Sequence, residues 1–419
     1  MSEGRPVSRL FPFYYGWVIV VVGSLVWILS IGHYYTFGVY FKPVAGEFGW
    51  SRAATSMASS LVILTSGAMA TVMGILTDRY GPRIVVSLCG VVLGGGYLLL
   101  SRMGVLDAVG SLGQFYLFYF VVGLGMSGTS APLTATVSRW FVARRGQAVG
   151  LMTLGGGFGQ FLMPLLASYL ILGYGWRTAY AVQGLLIVVA LGLLAQFLRR
   201  DPEAVGLSAG AAPSTGSQAG LPPRGFSLRE AARTQAFWRV FAVTSFALFG
   251  QVMLMMHLVP HATDLGVSRE VAPRFIALIG LSNMVGKLVM GPISDRIGRK
   301  ATLSIVFFMA GTMMLWLLVT REEWMFYVFA ALFGFAYGAW IPMFPAIMGD
   351  LFGMASLGAL VGANHLAVSV GAAIGSFLGG YIFDVTGSYF WAFLLAGTMF
   401  YLAGALVLTV KQPIKGAHA

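Results

Sequence analysis

The chain has 419 residues, of which 58% are hydrophobic and only 10% are charged. A soluble globular domain carries about 25% charged residues, so this composition excludes a water-soluble protein. The single cysteine, Cys89, excludes an intramolecular disulfide and leaves no cysteine cluster that could bind a metal.

Hydrophobic stretches of about 20 residues, the length that crosses a ~30 Å hydrocarbon core, recur along the whole chain. The backbone of a membrane-spanning segment must satisfy its own hydrogen bonds, and the alternation typical of a β-barrel is absent from this sequence. An all-α membrane protein is therefore predicted. Its twelve predicted spans are 15–37, 55–75, 84–101, 113–137, 146–172, 179–198, 237–262, 273–293, 302–320, 324–348, 356–383 and 389–410.

The basic residues indicate how the chain is oriented. Most of the 26 Lys and Arg residues fall in segments that lie on the cytoplasmic side if the N-terminus is inside. We therefore predict a multi-pass protein of the cell membrane, inner or plasma, with both termini in the cytoplasm. This distribution also explains the net charge of +12 without nucleic acid as a partner.

Residues 199–236 interrupt the hydrophobic pattern with a stretch rich in Gly, Pro, Ser and Ala, including GLSAGAAPSTGSQAGLPPRG. Such a composition cannot bury apolar area, and it predicts a cytoplasmic linker. The linker separates a six-span half, residues 1–198, from a second six-span half, residues 237–419.

A short motif repeats at equivalent places in the two halves. GILTDRYGPR follows the second span, and GPISDRIGRK follows the second span of the other half. The repetition predicts that the halves arose by duplication, as in many transporters. An Asp at this place can lie near a helix N-terminus or pair with basic neighbours at the inner face, and so hold one conformation. The predicted gating residues are Asp78, Arg79, Arg83, Asp295, Arg296 and Arg299.

This motif resembles the signature of the major facilitator superfamily, Gly-x-x-x-Asp-Arg/Lys-x-Gly-Arg/Lys-Arg/Lys, with Pro82 in place of one basic residue. A narrower resemblance covers most of the chain. YYGWVIV at 14–20, FGVYFKPVAGEFGWSR at 37–52 and RWFVARRGQAVGLMTLGGGFG at 139–159 look like the bacterial branch of the monocarboxylate transporter family, related to oxalate/formate antiporters. The resemblance implies the major facilitator fold, with two pseudo-symmetric six-helix halves around a substrate site.

Among the Lys, Arg, Asp and Glu residues, Lys287 is the one that falls in the middle of a predicted span, where charge is costly and commonly functional. It precedes Asp295 by eight residues, which places it about 12 Å into the membrane. A lysine that snorkels to the inner surface is the alternative. Asn283 lies one turn outward on the same helix face.

The family resemblance gives Lys287 a role. Members of the family place a cation at this position of the eighth span, residues 273–293 here, to pair with the substrate carboxylate. The antiporters that carry a dicarboxylate use a second cation in the eleventh span, residues 356–383 here, where this chain reads AVSVGAAIG at 367–375. The resemblance therefore implies a substrate with one negative charge.

Other polar residues in the spans are further candidates for the substrate site. Histidines titrate near neutrality and could therefore carry a proton through the membrane, although a buried histidine is more often a packing residue. Tyrosine hydroxyls could donate hydrogen bonds to the substrate, or the rings could pack in the core or at the membrane interface. The candidates are His33, His257, His365, Tyr34, Tyr35, Tyr119, Gln160, Tyr337, Trp340 and Asn364.

We interpret the sequence as a secondary active transporter of a small monocarboxylate, similar to lactate or pyruvate, working by alternating access and proton symport. In a low-dielectric site a lysine can release its proton, whereas an arginine keeps its charge. Lys287 would then take up a proton together with the anion. Efflux of drugs or other organic solutes is the alternative function. No enzyme activity and no cofactor are predicted, and a single twelve-span chain is predicted to work as a monomer.

Overall fold

The structure is a computed structural model that describes residues 14–104, 110–141, 145–202, 225–353 and 356–411. Nearly all of these residues are helical, and the single β-bridge among them joins Gly225 and Gly353. The helices are α1 (Gly16–Tyr34), α2 (Phe37–Phe48), α3 (Arg52–Tyr80), α4 (Pro82–Ser101), α5 (Ser111–Ser127), α6 (Ala131–Trp140), α7 (Arg145–Ala195), α8 (Leu228–Ala232), α9 (Gln235–Asp264), α10 (Ala272–Ile297), α11 (Arg299–Val319), α12 (Glu323–Phe352), α13 (Leu357–Thr386) and α14 (Phe390–Leu408).

Eleven helical stretches in these ranges are long and apolar enough to cross a membrane. One of them, Gly146–Ala195, has 50 residues and is broken at Gly175, where φ is 80° and ψ is 162°. A single crossing takes about 20 residues, so the two arms of this stretch supply two crossings. The predicted all-α fold with twelve spans is confirmed.

The first span is longer than the sequence predicted. The prediction ended it at residue 37, whereas the helical stretch runs from Gly16 to Phe48 with a turn at Tyr35 and Thr36. Residues 37–44 continue the apolar character, and Pro43 is accommodated inside α2. The boundary was misplaced because a local change in hydropathy does not mark where a helix ends.

Contacts divide the described chain into two units. The first comprises residues 14–36 and 64–202, and the second comprises residues 37–63 and 225–411. In the first unit α7 packs against α1 and α4, and α4 also packs against α5. In the second unit α9 packs against α13 and α14, and α10 packs against α12.

Close helix packing in the first unit depends on glycine. A methyl group at Gly159 of α7 would lie 2.9 Å from the Cα of Gly32 in α1. One at Gly155 would lie 2.6 Å from the Ser24 hydroxyl. The LGGGFG segment therefore lets two helix backbones meet, as small residues commonly do in membrane proteins.

The two tyrosines at the start of α1 join three chain segments of the first unit. Tyr14 donates a hydrogen bond to the Trp140 carbonyl at 2.6 Å, and Tyr15 donates one to the Phe197 carbonyl at 2.8 Å. Trp140 in turn donates through Nε1 to the Arg199 carbonyl at 3.0 Å. These bonds satisfy carbonyls at or just beyond helix ends, which have no partner within their own helix.

Replacing both Tyr14 and Tyr15 with phenylalanine is expected to lower the melting temperature of the purified protein. Each change removes a hydrogen bond worth about 0.5–1.5 kcal/mol and leaves the rings in place. Tyr169→Phe is the matched control because this side chain is 68% exposed. An equal melting temperature for the double variant and the control would contradict the assignment.

Candidate functional site

Helix α10 places one charge deep within its length. Lys287 lies ten residues before the last residue of α10, Ile297, and is separated from it by about 15 Å of helix rise. Among the described helices, and with the break at Gly175 counted as a helix end, every other charged residue lies closer to the nearest end of its helix than Lys287 does. Each Asp or Glu in a described helix longer than ten residues lies within two residues of its end.

Helices α10 and α12 meet with their backbones almost in contact. A methyl group at Gly338 would collide with the Asn283 carbonyl, and one at Gly286 would collide with the Phe335 carbonyl. One turn away, a methyl group at Gly334 would lie 2.6 Å from the Ile279 carbonyl. Only glycine fits at these three places, so the contact fixes the position of the helix turn that carries Asn283 and Lys287.

Asn283 and Lys287 are four residues apart and therefore share one face of α10. The Asn283 side chain is 2% exposed, and among the described residues its Nδ2 has no hydrogen-bond partner. Lys287 is part-buried. A buried amide donor without an acceptor costs about 1–3 kcal/mol. The Asn283 Nδ2 is therefore a candidate to bind an acceptor atom of a ligand. An ammonium and an amide donor one turn apart form a suitable pair of donors for a carboxylate.

The aromatic candidates on α12 flank the glycine contact. Tyr337 precedes Gly338, and its ring lies 5.5 Å from that of Trp340. Trp340 is fully buried against Phe307 and Phe400, and within the described part of the chain its Nε1 has no hydrogen-bond partner. Trp340 thus packs in the core of the second unit and keeps an unused donor.

The candidates on α9 and α13 have different surroundings. The Asn364 Oδ1 accepts a hydrogen bond from the Thr244 hydroxyl at 3.1 Å, whereas His365, the next residue, is exposed. His257 is fully buried. One of its ring nitrogens, Nε2, lies 3.0 Å from the Ser376 carbonyl, and the other, Nδ1, lies 3.2 Å from the Tyr389 hydroxyl. His257 is therefore held by two hydrogen bonds between helices.

The first unit contains the remaining candidates. His33 is 1% exposed, and its Nδ1 donates to the Leu29 carbonyl. In the described residues Nε2 has no partner, and since Nδ1 carries the proton it is left as an acceptor. Tyr119 shares a hydrogen bond of 2.9 Å with the Tyr180 hydroxyl. Tyr35 and Gln160 are buried, and Tyr34 is part-buried with its ring 5.4 Å from that of Tyr35.

The repeated motif takes part in an ion pair in each unit. Asp78, near the end of α3, pairs with Arg139, near the end of α6. Arg299, at the start of α11, pairs with Asp350, near the end of α12, at 2.5 Å. The motif supplies the acid in one unit and the base in the other. The sequence predicted that Asp78 can pair with basic neighbours, but its partner is 61 residues away and no local pattern identifies it.

The other predicted gating residues are less constrained. The guanidinium of Arg79 lies 5.3 Å from the centre of the Tyr80 ring, and Arg83 and Arg296 are exposed. The side chain of Asp295 lies outside the part of the structure that is described. The gating role of these residues stays a prediction.

Known proteins resemble the chain over nearly its whole length. The family model of the Major Facilitator Superfamily matches residues 22–289 and 262–418. The oxalate:formate antiporter of Oxalobacter formigenes is 27% identical over 409 residues, which cover 95% of this chain and 93% of that protein. Monocarboxylate transporter 13 of Bos taurus is 28% identical over 401 residues, which cover 94% and 88%.

A solved structure shows the same fold. The crystal structure of a bacterial homologue of the human lysosomal transporter Spinster matches with a TM-score of 0.71 and 16% sequence identity. The match covers 95% of this chain and 99% of that one. At this identity the likeness carries information about the fold alone.

Proposed function

The chain belongs to the Major Facilitator Superfamily, and we propose that it is a secondary active transporter that moves a small monocarboxylate anion together with a proton. The observation that carries the proposal is Lys287, a cation in the apolar middle of a membrane-spanning helix. Its neighbour one turn away, Asn283, offers a buried amide donor. Both groups are hydrogen-bond donors, so one carboxylate can accept from each of them.

The number of charges in the second unit supports a monoanion. Lys287 is the only Lys or Arg in the middle of a described span of this unit, and α13 contains neither residue type along its thirty residues. A substrate with two carboxylates would bring a second negative charge into a low-dielectric region without a second cation, which is costly. Lactate, pyruvate and acetate match the charge.

The names of the relatives support transport of small organic acids, and we propose that it proceeds by alternating access. One of them is named an oxalate:formate antiporter and another a monocarboxylate transporter. We infer that the ion pairs Asp78–Arg139 and Arg299–Asp350 stabilise one arrangement of the inner face and break when the transporter changes conformation. Both termini would lie in the cytoplasm, and a single chain would be sufficient for transport.

Uptake into proteoliposomes tests the proposal. Labelled lactate, pyruvate or acetate should accumulate inside vesicles that hold the purified protein when the outside is acidic. Accumulation should collapse when a protonophore removes the gradient, and empty vesicles give the background. No uptake of any monocarboxylate, together with export of a lipophilic cation, would instead establish drug efflux as the function.

Replacing Lys287 with arginine is expected to separate substrate binding from proton coupling. The guanidinium can still pair with a carboxylate, but it does not release its proton during the cycle. The rate at which labelled lactate exchanges for unlabelled lactate at equal pH should stay within about threefold of the native rate, because exchange moves no net proton. A threefold change in rate corresponds to less than about 1 kcal/mol. Accumulation driven by a pH gradient should fall to background.

The opposite result would identify a different proton carrier. If Lys287→Arg still accumulates lactate in response to a pH gradient, Lys287 does not carry the coupling proton. His33 would then be the next residue to replace, because its buried Nε2 is an acceptor without a partner among the described residues.

A further inference from the structure

Arg52, the first residue of α3, stands at the centre of a polar cluster in the second unit. One guanidinium nitrogen donates to the Asp264 carboxylate at 2.6 Å and to the Tyr389 hydroxyl at 2.7 Å. The guanidinium carbon lies 3.5 Å from the centre of the Phe383 ring, a cation–π contact. Lys42 pairs with the second oxygen of Asp264 at 2.6 Å. The Arg52 side chain is only 18% exposed, so these bonds are partly shielded from solvent.

Asp384 holds the backbone at the same place. One of its carboxylate oxygens accepts from the Arg52 amide at 2.8 Å, and the other accepts from the Ala53 amide at 2.7 Å. These amides belong to the first turn of α3 and have no partner within their own helix. A carboxylate at a helix N-terminus is also favoured by the helix dipole. Asp384 of α13 therefore acts as the N-terminal cap of α3.

A hydrogen-bond chain continues from Arg52 into the core of this unit. A backbone carbonyl only accepts, so the His257 Nε2 donates to Ser376 and a neutral His257 accepts at Nδ1. Tyr389, which receives the Arg52 bond, then donates its proton to that nitrogen. Each link has one donor and one acceptor.

Behind the cluster, α3 and α13 are packed through small polar residues. Ser60 donates to the Ala373 carbonyl at 2.7 Å, and Ser376 donates to the Ser56 carbonyl at 3.2 Å. A methyl group at Gly380 would lie 2.5 Å from the Arg52 carbonyl and 2.5 Å from the Ser56 hydroxyl. The contact therefore extends for more than two helix turns and leaves no room for a larger residue.

We propose that Lys42, Arg52, Asp264, Asp384 and Tyr389 form an outer latch, which holds the start of α3 against α9, α13 and α14 while the outer side of the transporter is closed. With the N-terminus in the cytoplasm, all five residues lie at the outer ends of their spans. They contribute two cations and two carboxylates, so the closed latch is electrically balanced. Residues 64–80 of α3 belong to the first contact unit, whereas residues 52–63 belong to the second.

The inference rests on the proposed transport cycle, in which the outer side opens and closes, but its test needs no substrate. Ser60→Cys introduces a thiol at a side chain that is 3% exposed and lies behind the latch. Its reaction with a membrane-impermeant maleimide, added outside to proteoliposomes of known orientation, reports opening of the outer side. The native Cys89 is buried, and the chain without Ser60→Cys gives its background.

Adding Arg52→Ala or Asp384→Ala to Ser60→Cys should accelerate labelling at least tenfold. Gly380→Val should do the same by an independent route, because its side chain has no room between α3 and α13. Arg274→Ala removes an exposed arginine near the start of α10 that is not part of the latch, and it should leave the rate unchanged. Equal labelling in all variants would overturn the latch, as would an equal acceleration at Cys89, which would indicate unfolding. If the native chain takes up no monocarboxylate while the labelling rates of the variants differ as expected, only the proposed function is contradicted.

Discussion

Replacing Lys287 with methionine is expected to reduce uptake of a labelled monocarboxylate by at least about tenfold, to the level of empty vesicles. Methionine keeps an unbranched side chain of similar length and removes the charge together with the N–H donors of the ammonium. A hydrogen bond to a charged group contributes about 1.5–3 kcal/mol, which corresponds to a change of about 10–150-fold in binding. The loss should appear both in uptake driven by a pH gradient and in exchange at equal pH, unlike the loss in Lys287→Arg.

The control for this prediction is Lys411→Met, which removes an exposed lysine beyond α14 and should transport at the native rate. Thermal unfolding of the purified variants separates transport from folding. Lys287→Met should melt at the native temperature or above it, because the change removes a charge from an apolar setting. Normal uptake by a folded Lys287→Met protein would show that Lys287 does not bind the substrate carboxylate.

The membrane spans could be predicted because hydropathy is a local property. A stretch such as residues 302–320 is apolar whatever surrounds it, and α11 lies at Arg299–Val319. Helix ends depend on tertiary contacts instead. The sequence predicts that the first span ends at residue 37, whereas the helical stretch continues to Phe48. Val39, Tyr40 and Phe41 are buried in this continuation. The single helical stretch across Gly175 likewise reflects a backbone angle that hydropathy does not report.

Parts of the candidate site could be predicted for a similar reason. The spacing of Asn283 and Lys287 follows from helix periodicity, and their position in a span follows from hydropathy. The partners of His257 lie 119 and 132 residues away, at Ser376 and Tyr389. No periodicity relates residues so distant in sequence. The proposed roles of the other candidates in substrate binding therefore stay predictions.

Arg52 shows most clearly what sequence reasoning missed. It stands at the end of a family-like segment, FGVYFKPVAGEFGWSR, between two predicted spans, and the sequence analysis assigns it no role. Its partners Asp264 and Asp384 come from helices that follow more than 200 residues later. The available signal was that both acids stand at span ends on the same predicted side of the membrane as Arg52. Charge alone could not choose among the several pairings that this side allows.

Enlarging Gly338 to alanine is expected to destabilise the protein and to stop transport. The added methyl would collide with the Asn283 carbonyl at the closest approach of α10 and α12. Relief requires the two backbones to separate along a contact that also includes Gly286 and Gly334. Overpacking of this kind costs about 1–3 kcal/mol. Because Asn283 and Lys287 lie on the turn that would shift, substrate affinity should fall together with the melting temperature.

Gly291→Ala is the matched control, since Gly291 also lies in α10 and a methyl group there meets no atom within 4 Å. Alanine is a better helix former than glycine by about 1 kcal/mol, so this variant should melt at or above the native temperature. Gly338→Ala should melt lower by several degrees. If both variants melt alike, the close contact between α10 and α12 is not what positions Lys287. If Gly338→Ala is destabilised and still binds substrate with native affinity, the carboxylate site does not depend on this contact, and Lys287 must be positioned by other parts of the second unit.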